Sequence, residues 1–396
     1  MNLLKGELAL PALVLKEPAL ANNLAVMAGY ARQHGFVLAP HGKTTMAPAL
    51  FKRQLEAGAW GMTVANMPQA EVAFDAGATR VLVANELVSM ADAQAVARCL
   101  AVAGRELYCL VDSVEGAKLL DANLVRAGFT GRLGVLVELG VAGGRAGARS
   151  EETALAAAGA VQRGQCLRLA GVEGYEGILA SDRSPEALAK VDAFLFALRR
   201  LVVRLADGGA FPEGAQPLVS AGGSAYFDRV AEVLGAKARE EGHFGAHDVL
   251  LVVRSGCYLV HDHGVYARNS PLSGPSGHGP TLEAALELWA EVLSVPEPGL
   301  AILGLGKRDA PYDLGLPVPL GVVRGPGLQP LGRAELSKVN DQHGYLAFDG
   351  SAQGLGVGDR VVFGISHPCT AFDKWRTVLL VDRDREVTGE IRTFFH

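Results

Sequence analysis

Short apolar runs rich in valine and leucine recur along the first two thirds of the chain, beginning near Phe36, Trp60, Val81, Leu107, Leu133, Leu169, Leu218 and Val249. Each run is continuous rather than alternating, the pattern of a strand buried on both faces in a parallel sheet. Between them apolar positions fall at helical spacing, over 47–57, 68–75, 91–102, 115–127, 152–163, 186–205 and 226–234, mostly ending at glycine or in a Gly-rich turn. Eight strands alternating with helices over about 230 residues is the size and order of an α/β fold of the (β/α)8 barrel type. A doubly wound sheet is the alternative, disfavoured because eight evenly spaced repeats fill the span with none left over.

Beyond about residue 266 the texture changes. The segment from Asn269 to Pro280 is rich in Ser, Gly and Pro, and short β-like runs follow at 300–305, 360–363 and 377–381 between Gly-Pro turns. This predicts a smaller β-rich domain. The strand-like stretch Leu8 to Lys16, ahead of a helix over Pro18 to His34, is assigned to that domain as a strand pairing back. The expected division is therefore 20–266 for the barrel, with 1–19 and 267–396 forming the β-rich domain.

Composition removes several function classes. With 396 residues and 49% apolar content the chain can bury a large core, and a net charge of -5 without a long basic run weighs against nucleic-acid partners. The first residues lack an apolar signal core, and no window of about 18 residues is free of charges or glycine, so the expectation is a soluble cytoplasmic protein without a membrane partner. Five cysteines, Cys99, Cys109, Cys166, Cys257 and Cys369, are an odd number scattered over the chain and do not read as a disulfide framework.

Three constellations carry candidate chemistry. His41-Gly-Lys43-Thr44-Thr45 follows the apolar run Phe36 to Ala39, and residues two apart on a strand share a face. A lysine sheltered from water at the carboxyl end of a buried strand is where an α/β enzyme holds an aldehyde cofactor as a Schiff base. The last two barrel strands end in Ser220-Ala-Gly222-Gly223-Ser224 and Arg254-Ser-Gly256-Cys257-Tyr258, glycine-rich turns that suit a phosphate, or that are simply short βα connections. In His367-Pro-Cys369, two ligands one residue apart in an extended segment point to one side and can chelate a single ion.

Taken together with Glu138-Leu-Gly, Arg145-Ala-Gly and Gly174-Tyr175-Glu-Gly177, these motifs occur in the order that resembles the D-serine dehydratase and D-threonine aldolase family, over nearly the whole chain. The resemblance implies an alanine-racemase-type barrel and pyridoxal 5'-phosphate held on Lys43. It also implies Arg145 facing the pyridine nitrogen, Tyr175 beside the Schiff base, and His41 near cofactor or substrate. Phosphate contacts would come from Ser220, Gly222, Gly223, Ser224, Gly256, Cys257 and Tyr258, although Arg145 could instead only cap its Gly-rich turn. His367 and Cys369 become ligands of a divalent metal, with Zn2+ favoured because a thiolate suits it better than manganese or magnesium. Family members acting as D-serine dehydratases carry His and Cys at these places, whereas the aldolases usually carry His and Asp.

The implied activity is a lyase acting on D-3-hydroxy amino acids, dehydrating them to a 2-keto acid and ammonia. Cleavage to glycine and an aldehyde is the nearest alternative, and a racemase or a cofactor-binding homeostasis protein is the alternative of another class. A homodimer, each barrel mouth covered by the other chain's small domain, is implied as well. Asp341 and His343 are left between a metal-side role and a solvated turn, and Asp309, Tyr312 and Asp313 are candidates for a substrate mouth.

Overall fold

The computed structural model describes residues 1–273, 280–325, 327–349 and 354–395. The segment expected from Asn269 to Pro280 thus lies partly outside the described residues. By its internal contacts the chain forms two units: one of Met27–Lys43 with Phe51–Gly256, the other of Met1–Val26, Thr44–Leu50 and Cys257–His396. The stretches 20–26, 44–50 and 257–266 thus go with the second unit, whereas the sequence division put them in the barrel.

In the second unit, strand β1 (Ala12–Lys16) leads into helix α1 (Glu17–His34), which runs on into the first. The barrel strands then follow in order: β2 (Val37–Leu38), β3 (Met62–Val64), β4 (Arg80–Glu86), β5 (Glu106–Val111), β6 (Leu133–Leu139), β7 (Leu167–Gly174), β8 (Leu218–Ala221) and β9 (Leu250–Val253). They form one parallel eight-stranded sheet in the order β2-β9-β8-β7-β6-β5-β4-β3. The gap between its two ends is bridged by His41 against Thr63 and by N–H donation from Trp60 to Leu38 O and from Thr63 to Pro40 O, so the barrel is nearly closed. Every strand expected from the apolar runs is present. Inside, Ala39, Leu82, Tyr108, Leu110, Leu136, Ala170, Leu218 and Val252 form the packed core, one or two residues from each of seven strands or their ends.

The connecting helices are α2 (Pro48–Glu56), α3 (Met67–Asp75), α4 (Met90–Leu100), α5 (Val114–Arg126), α6 (Glu151–Arg163), α7 (Pro185–Asp207) and α8 (Phe227–Leu234). Four of them begin on a serine, Ser89, Ser113, Ser150 or Ser184, whose side chain accepts an N–H of the first turn. At α4 the cap is reciprocal: Ser89 Oγ accepts Asp92 N–H at 3.0 Å while Asp92 Oδ2 accepts Ser89 N–H at 3.2 Å. Ser89→Ala is expected to cost about 1 kcal/mol, read as a lower urea midpoint with turnover unchanged.

Two short helices, α9 (Ala236–Glu240) and α10 (Val265–Asn269), precede the β-rich part. There β10 (Leu286–Glu297), β11 (Leu300–Leu303), β12 (Val318–Arg324), β13 (Gly327–Gln329), β14 (Ala334–Val339), β15 (Gly344–Phe348), β16 (Arg360–Gly364), β17 (Thr377–Val381) and β18 (Val387–Arg392) build the second sheet together with β1. Its main path is β13-β12-β16-β10-β1-β17-β18, and β1 lies antiparallel to β10 and parallel to β17. The N-terminal strand therefore pairs back, as its apolar pattern predicts. Leu3, Val14, Trp289, Val323, Val362 and Val381 make a core here. Among the described residues no helix is long and apolar enough to cross a membrane.

Candidate active site

In the barrel unit, three acidic side chains lie on β6, on β7 and in the helical turn Glu176–Ile178 that begins two residues past β7. Glu138, Glu173 and Glu176 are 4%, 1% and 0% exposed. Arg254, one residue past β9, forms an ion pair with Glu173 and donates from Nη2 to Gly174 O at 2.9 Å. Arg254 Nε and Glu173 Oε2 are buried without a hydrogen-bond partner. Burial, the charge of Glu173 and a hydrogen bond with Glu86 push the Glu138 carboxyl up to about 9, so it keeps its proton at neutral pH. His41 stays neutral for the mirror reason: burial, then the charges of Lys43, Arg254 and Arg145, hold its pKa well below the usual range.

The turn after β8 is organised around Glu176. Its Oε2 accepts the Gly222 N–H at 3.0 Å and its Oε1 the Gly223 N–H at 2.6 Å. Gly222 sits at φ +98, and a side chain on Gly223 would begin 2.9 Å from Tyr175 Cε2. Two successive backbone N–H groups converging on one anion make a nest, the device by which proteins hold phosphates and carboxylates. Next to it the Arg145 guanidinium lies 5.8 Å from the centre of the Tyr175 ring. The Gly-rich turn is capped instead by Arg149, which donates to the carbonyls of Gly144, Arg145, Ala146 and Gly147 at 2.6 to 2.9 Å.

Several expectations change at this point. Lys43, expected to be sheltered, is exposed to solvent: β2 ends at Leu38, and the chain passes through a single helical turn, Gly42–Thr44, that lifts Lys43 off the barrel wall. His41 and Lys43 therefore do not share a strand face, although the Lys43 N–H lies 3.5 Å from His41 Nδ1. Ser220 does not line the turn, since its hydroxyl donates to Val252 O on the neighbouring strand at 3.1 Å. Ser224 is buried just ahead of α8. Gly256 is a packing requirement, because a Cβ there would meet His41 O at 2.4 Å. Cys257 and Tyr258 belong by their contacts to the β-rich unit, in the turn Cys257–Leu259. The sequence pattern did not reveal Glu173, Glu176 or Arg254 as site residues; the signal available was a charge at the end of each apolar run.

Within the β-rich unit, His367 is 9% exposed and extended, and Cys369 lies in the helical turn Pro368–Thr370 rather than in a continuous extended segment. The two side chains still meet, through a hydrogen bond between them. Asp313, expected only near a substrate mouth, binds His367 Nδ1 through Oδ2 at 2.8 Å and accepts the Thr370 hydroxyl at 2.9 Å. Burial opposes charge on His367, but its bonds to Cys369 and Asp313 raise its pKa to about 9. Cys369 is held well below the ordinary thiol range by a hydrogen bond from Cys257, against burial and with help from His367. The Cys257 and Cys369 sulfurs are 3.4 Å apart, and Thr44 Oγ1 lies 3.6 Å and 3.5 Å from them.

Among the described residues no three His, Cys, Asp or Glu side chains form a ready metal cluster. Asp341 and His343 occupy the exposed turn between β14 and β15. Asp309 accepts the Gly306 N–H in a turn, and Tyr312 is exposed beneath the ammonium groups of Lys307 and Lys374, each 5.6 Å from its ring.

The model of the alanine racemase N-terminal domain family matches residues 16–227. The chain belongs to that family. A second family model, described as "Putative serine dehydratase domain", matches residues 285–381, a span that includes both His367 and Cys369. The 3-hydroxy-D-aspartate aldolase of Paracoccus denitrificans (strain Pd 1222) is 29% identical over 80% of this chain and 77% of its own length. A D-threo-3-hydroxyaspartate dehydratase of Delftia sp. (strain HT23) is 32% identical over 45% of this chain and 46% of its own. The crystal structure of D-threonine aldolase from Filomicrobium marinum covers 99% of this chain and 96% of that one, with a TM-score of 0.80 at 28% identity. These matches put this member of the alanine racemase N-terminal domain family among the fold type III pyridoxal phosphate enzymes, the group to which its motifs point.

That family's cofactor brings an aldehyde, a phosphate and a ring nitrogen, and the barrel unit has a matching group for each. Lys43 offers an accessible amine, Arg145 a permanent positive charge, and the Gly222-Gly223 turn a nest that already holds a carboxylate. The metal fits as well by donor chemistry. A thiol and an imidazole lie in contact, and Asp313 on Nδ1 leaves the His367 Nε2 as the ligating atom.

Proposed function

We propose that this pyridoxal phosphate-dependent lyase acts on D-3-hydroxy amino acids and dehydrates them, releasing a 2-keto acid and ammonia. The observation that carries the choice of reaction is the contact between His367 and Cys369, with Asp313 orienting the imidazole. When bound, the cofactor supplies an electron sink for the Cα bond and the metal, with zinc favoured by the thiolate, polarises the 3-hydroxyl.

The chain's own residues supply the rest. Lys43 anchors the cofactor and its amine takes the Cα proton. Placed against the ring nitrogen, the fixed charge of Arg145 would disfavour its protonation and so increase the demand for a good leaving group at Cβ. The Tyr175 hydroxyl would position the substrate's amino group beside the cofactor's reactive carbon, and neutral His41 would be a hydrogen-bonding partner for cofactor or substrate. Gly222, Gly223 and Ser224 would bind the phosphate, which would take the place of the Glu176 carboxylate in the turn, with Ser220, Gly256, Cys257 and Tyr258 the further candidates. His367 and Cys369 hold the metal.

The second reading is an aldolase, favoured by the names of the relatives at 27 to 29% identity. A panel of D- and L-3-hydroxy amino acids, offered with pyridoxal phosphate and zinc and followed by NMR, separates the two. Keto acid and ammonia from the D-isomers support dehydration, whereas glycine with an aldehyde replaces it by cleavage. Cys369→Ala is expected to weaken metal retention and to lower turnover by about 100-fold, read by metal content beside the rate; full metal and rate in the variant would remove Cys369 from the ligand set. The active species is a homodimer, which sedimentation at working concentration tests.

A further inference from the structure

We infer that Cys257 and Cys369 are a redox pair that closes a reversible intramolecular disulfide. Their sulfurs lie 3.4 Å apart although 112 residues separate them in sequence. A disulfide measures about 2.05 Å, so roughly 1.4 Å of sulfur movement closes it. Both cysteines sit in single helical turns, Cys257–Leu259 and Pro368–Thr370, outside any sheet ladder that would resist a small side-chain rotation. Thr44 Oγ1 touches both sulfurs and keeps them on the same side. The other cysteines are differently placed: Cys99 is buried on α4, Cys109 in the middle of β5, and Cys166 donates to Phe129 O at 3.3 Å.

The two positions divide the chemistry. Cys369 is partly exposed and Cys257 is buried. With oxidised glutathione as the oxidant, the Cys369 thiolate attacks one glutathione sulfur and expels the other glutathione as thiolate. Cys257 then attacks the Cys369 sulfur of the mixed disulfide and expels the second glutathione. Two electrons pass to the oxidant, and the two thiol protons leave on two molecules of reduced glutathione. Only Cys369 needs to be reached from solvent, because the second step is internal. Under the function proposed above, Cys369 cannot bind metal while it is in the disulfide, so oxidation and metal loading exclude each other.

Chelated full-length protein treated with oxidised glutathione, then denatured and alkylated, is expected to carry three labels instead of five, with a cross-linked peptide joining Cys257 to Cys369. Dithiothreitol should restore all five. Five labels after oxidation, a stable glutathione adduct on Cys369, or a covalent dimer on a non-reducing gel would each overturn the pair. Cys257→Ser provides the control: the same treatment should leave glutathione on Cys369, and an unmodified Cys369 would also overturn the proposed order of attack. Preloading with zinc should preserve five labels. Three labels despite zinc would leave the disulfide standing and remove the metal from Cys369, so the two readings fail separately.

Discussion

Lys43→Ala is expected to lower turnover by about 10,000-fold, the largest loss from any single change in the barrel unit. Under the proposed function two roles would be lost with one amine, the covalent anchor and the base at Cα. The fold should be indifferent, because Lys43 is exposed on a short turn; stability is expected to stay within about 0.5 kcal/mol. Borohydride reduction followed by mass spectrometry gives the direct readout: the parent protein traps one cofactor on Lys43, and the variant traps none. Partial rescue by a small primary amine would distinguish the lost base from a collapsed site. Turnover above about 1% of the parent level would show that Lys43 is not the anchor.

Glu173→Met is expected to destabilise the barrel by about 3 to 5 kcal/mol, measured as a shift in the denaturant midpoint. The reason is an asymmetry in the ion pair with Arg254, whose side chains are 1% and 6% exposed. An arginine cannot shed its proton, so removing Glu173 leaves a buried charge whose remaining acceptor among the described residues is the Gly174 carbonyl. The reciprocal Arg254→Met should cost less, because burial already pushes the Glu173 carboxyl upward and it can neutralise itself by taking a proton. Combining the two substitutions should recover part of the loss. Equal costs for both single variants, or a double variant no better than Glu173→Met, would show that the charge asymmetry does not govern this pair.

The barrel was readable because its information is local. Each strand is a short apolar run and four of the helices start on a serine with a fitting first turn, so local pattern places both to within a few residues. Arg145 and Tyr175 were found through motifs, and the structure brings their side chains together. What the sequence concealed depends on pairing across strands. Glu173 meets Arg254 81 residues later, and Glu176 meets Gly222 and Gly223 from the following strand's turn. The Cys257–Cys369 contact was hidden for the same reason. The neighbours of Cys257 in sequence are a phosphate-type turn, whereas its neighbour in space is Cys369. The exposure of Lys43 was missed because the apolar run suggested a longer strand than the two residues that pair.

The placement of β1 has a consequence for how this chain is made. Residues Ala12–Lys16 leave the ribosome ahead of every barrel strand, yet their partners are Leu286–Trp289 and Leu379–Val381. All of the barrel strands emerge in between, and local contacts form faster than distant ones. While the barrel is being made, then, Leu13, Val14 and Leu15, at most 1% exposed in the folded chain, wait without their sheet. The stretch 44–50, with Ala47 and Leu50 fully buried, shares that delay. A nascent chain stalled before Leu286 would present both apolar segments to whatever chaperone is at hand, and the emergence of Leu379–Val381 is the event that completes the sheet around β1.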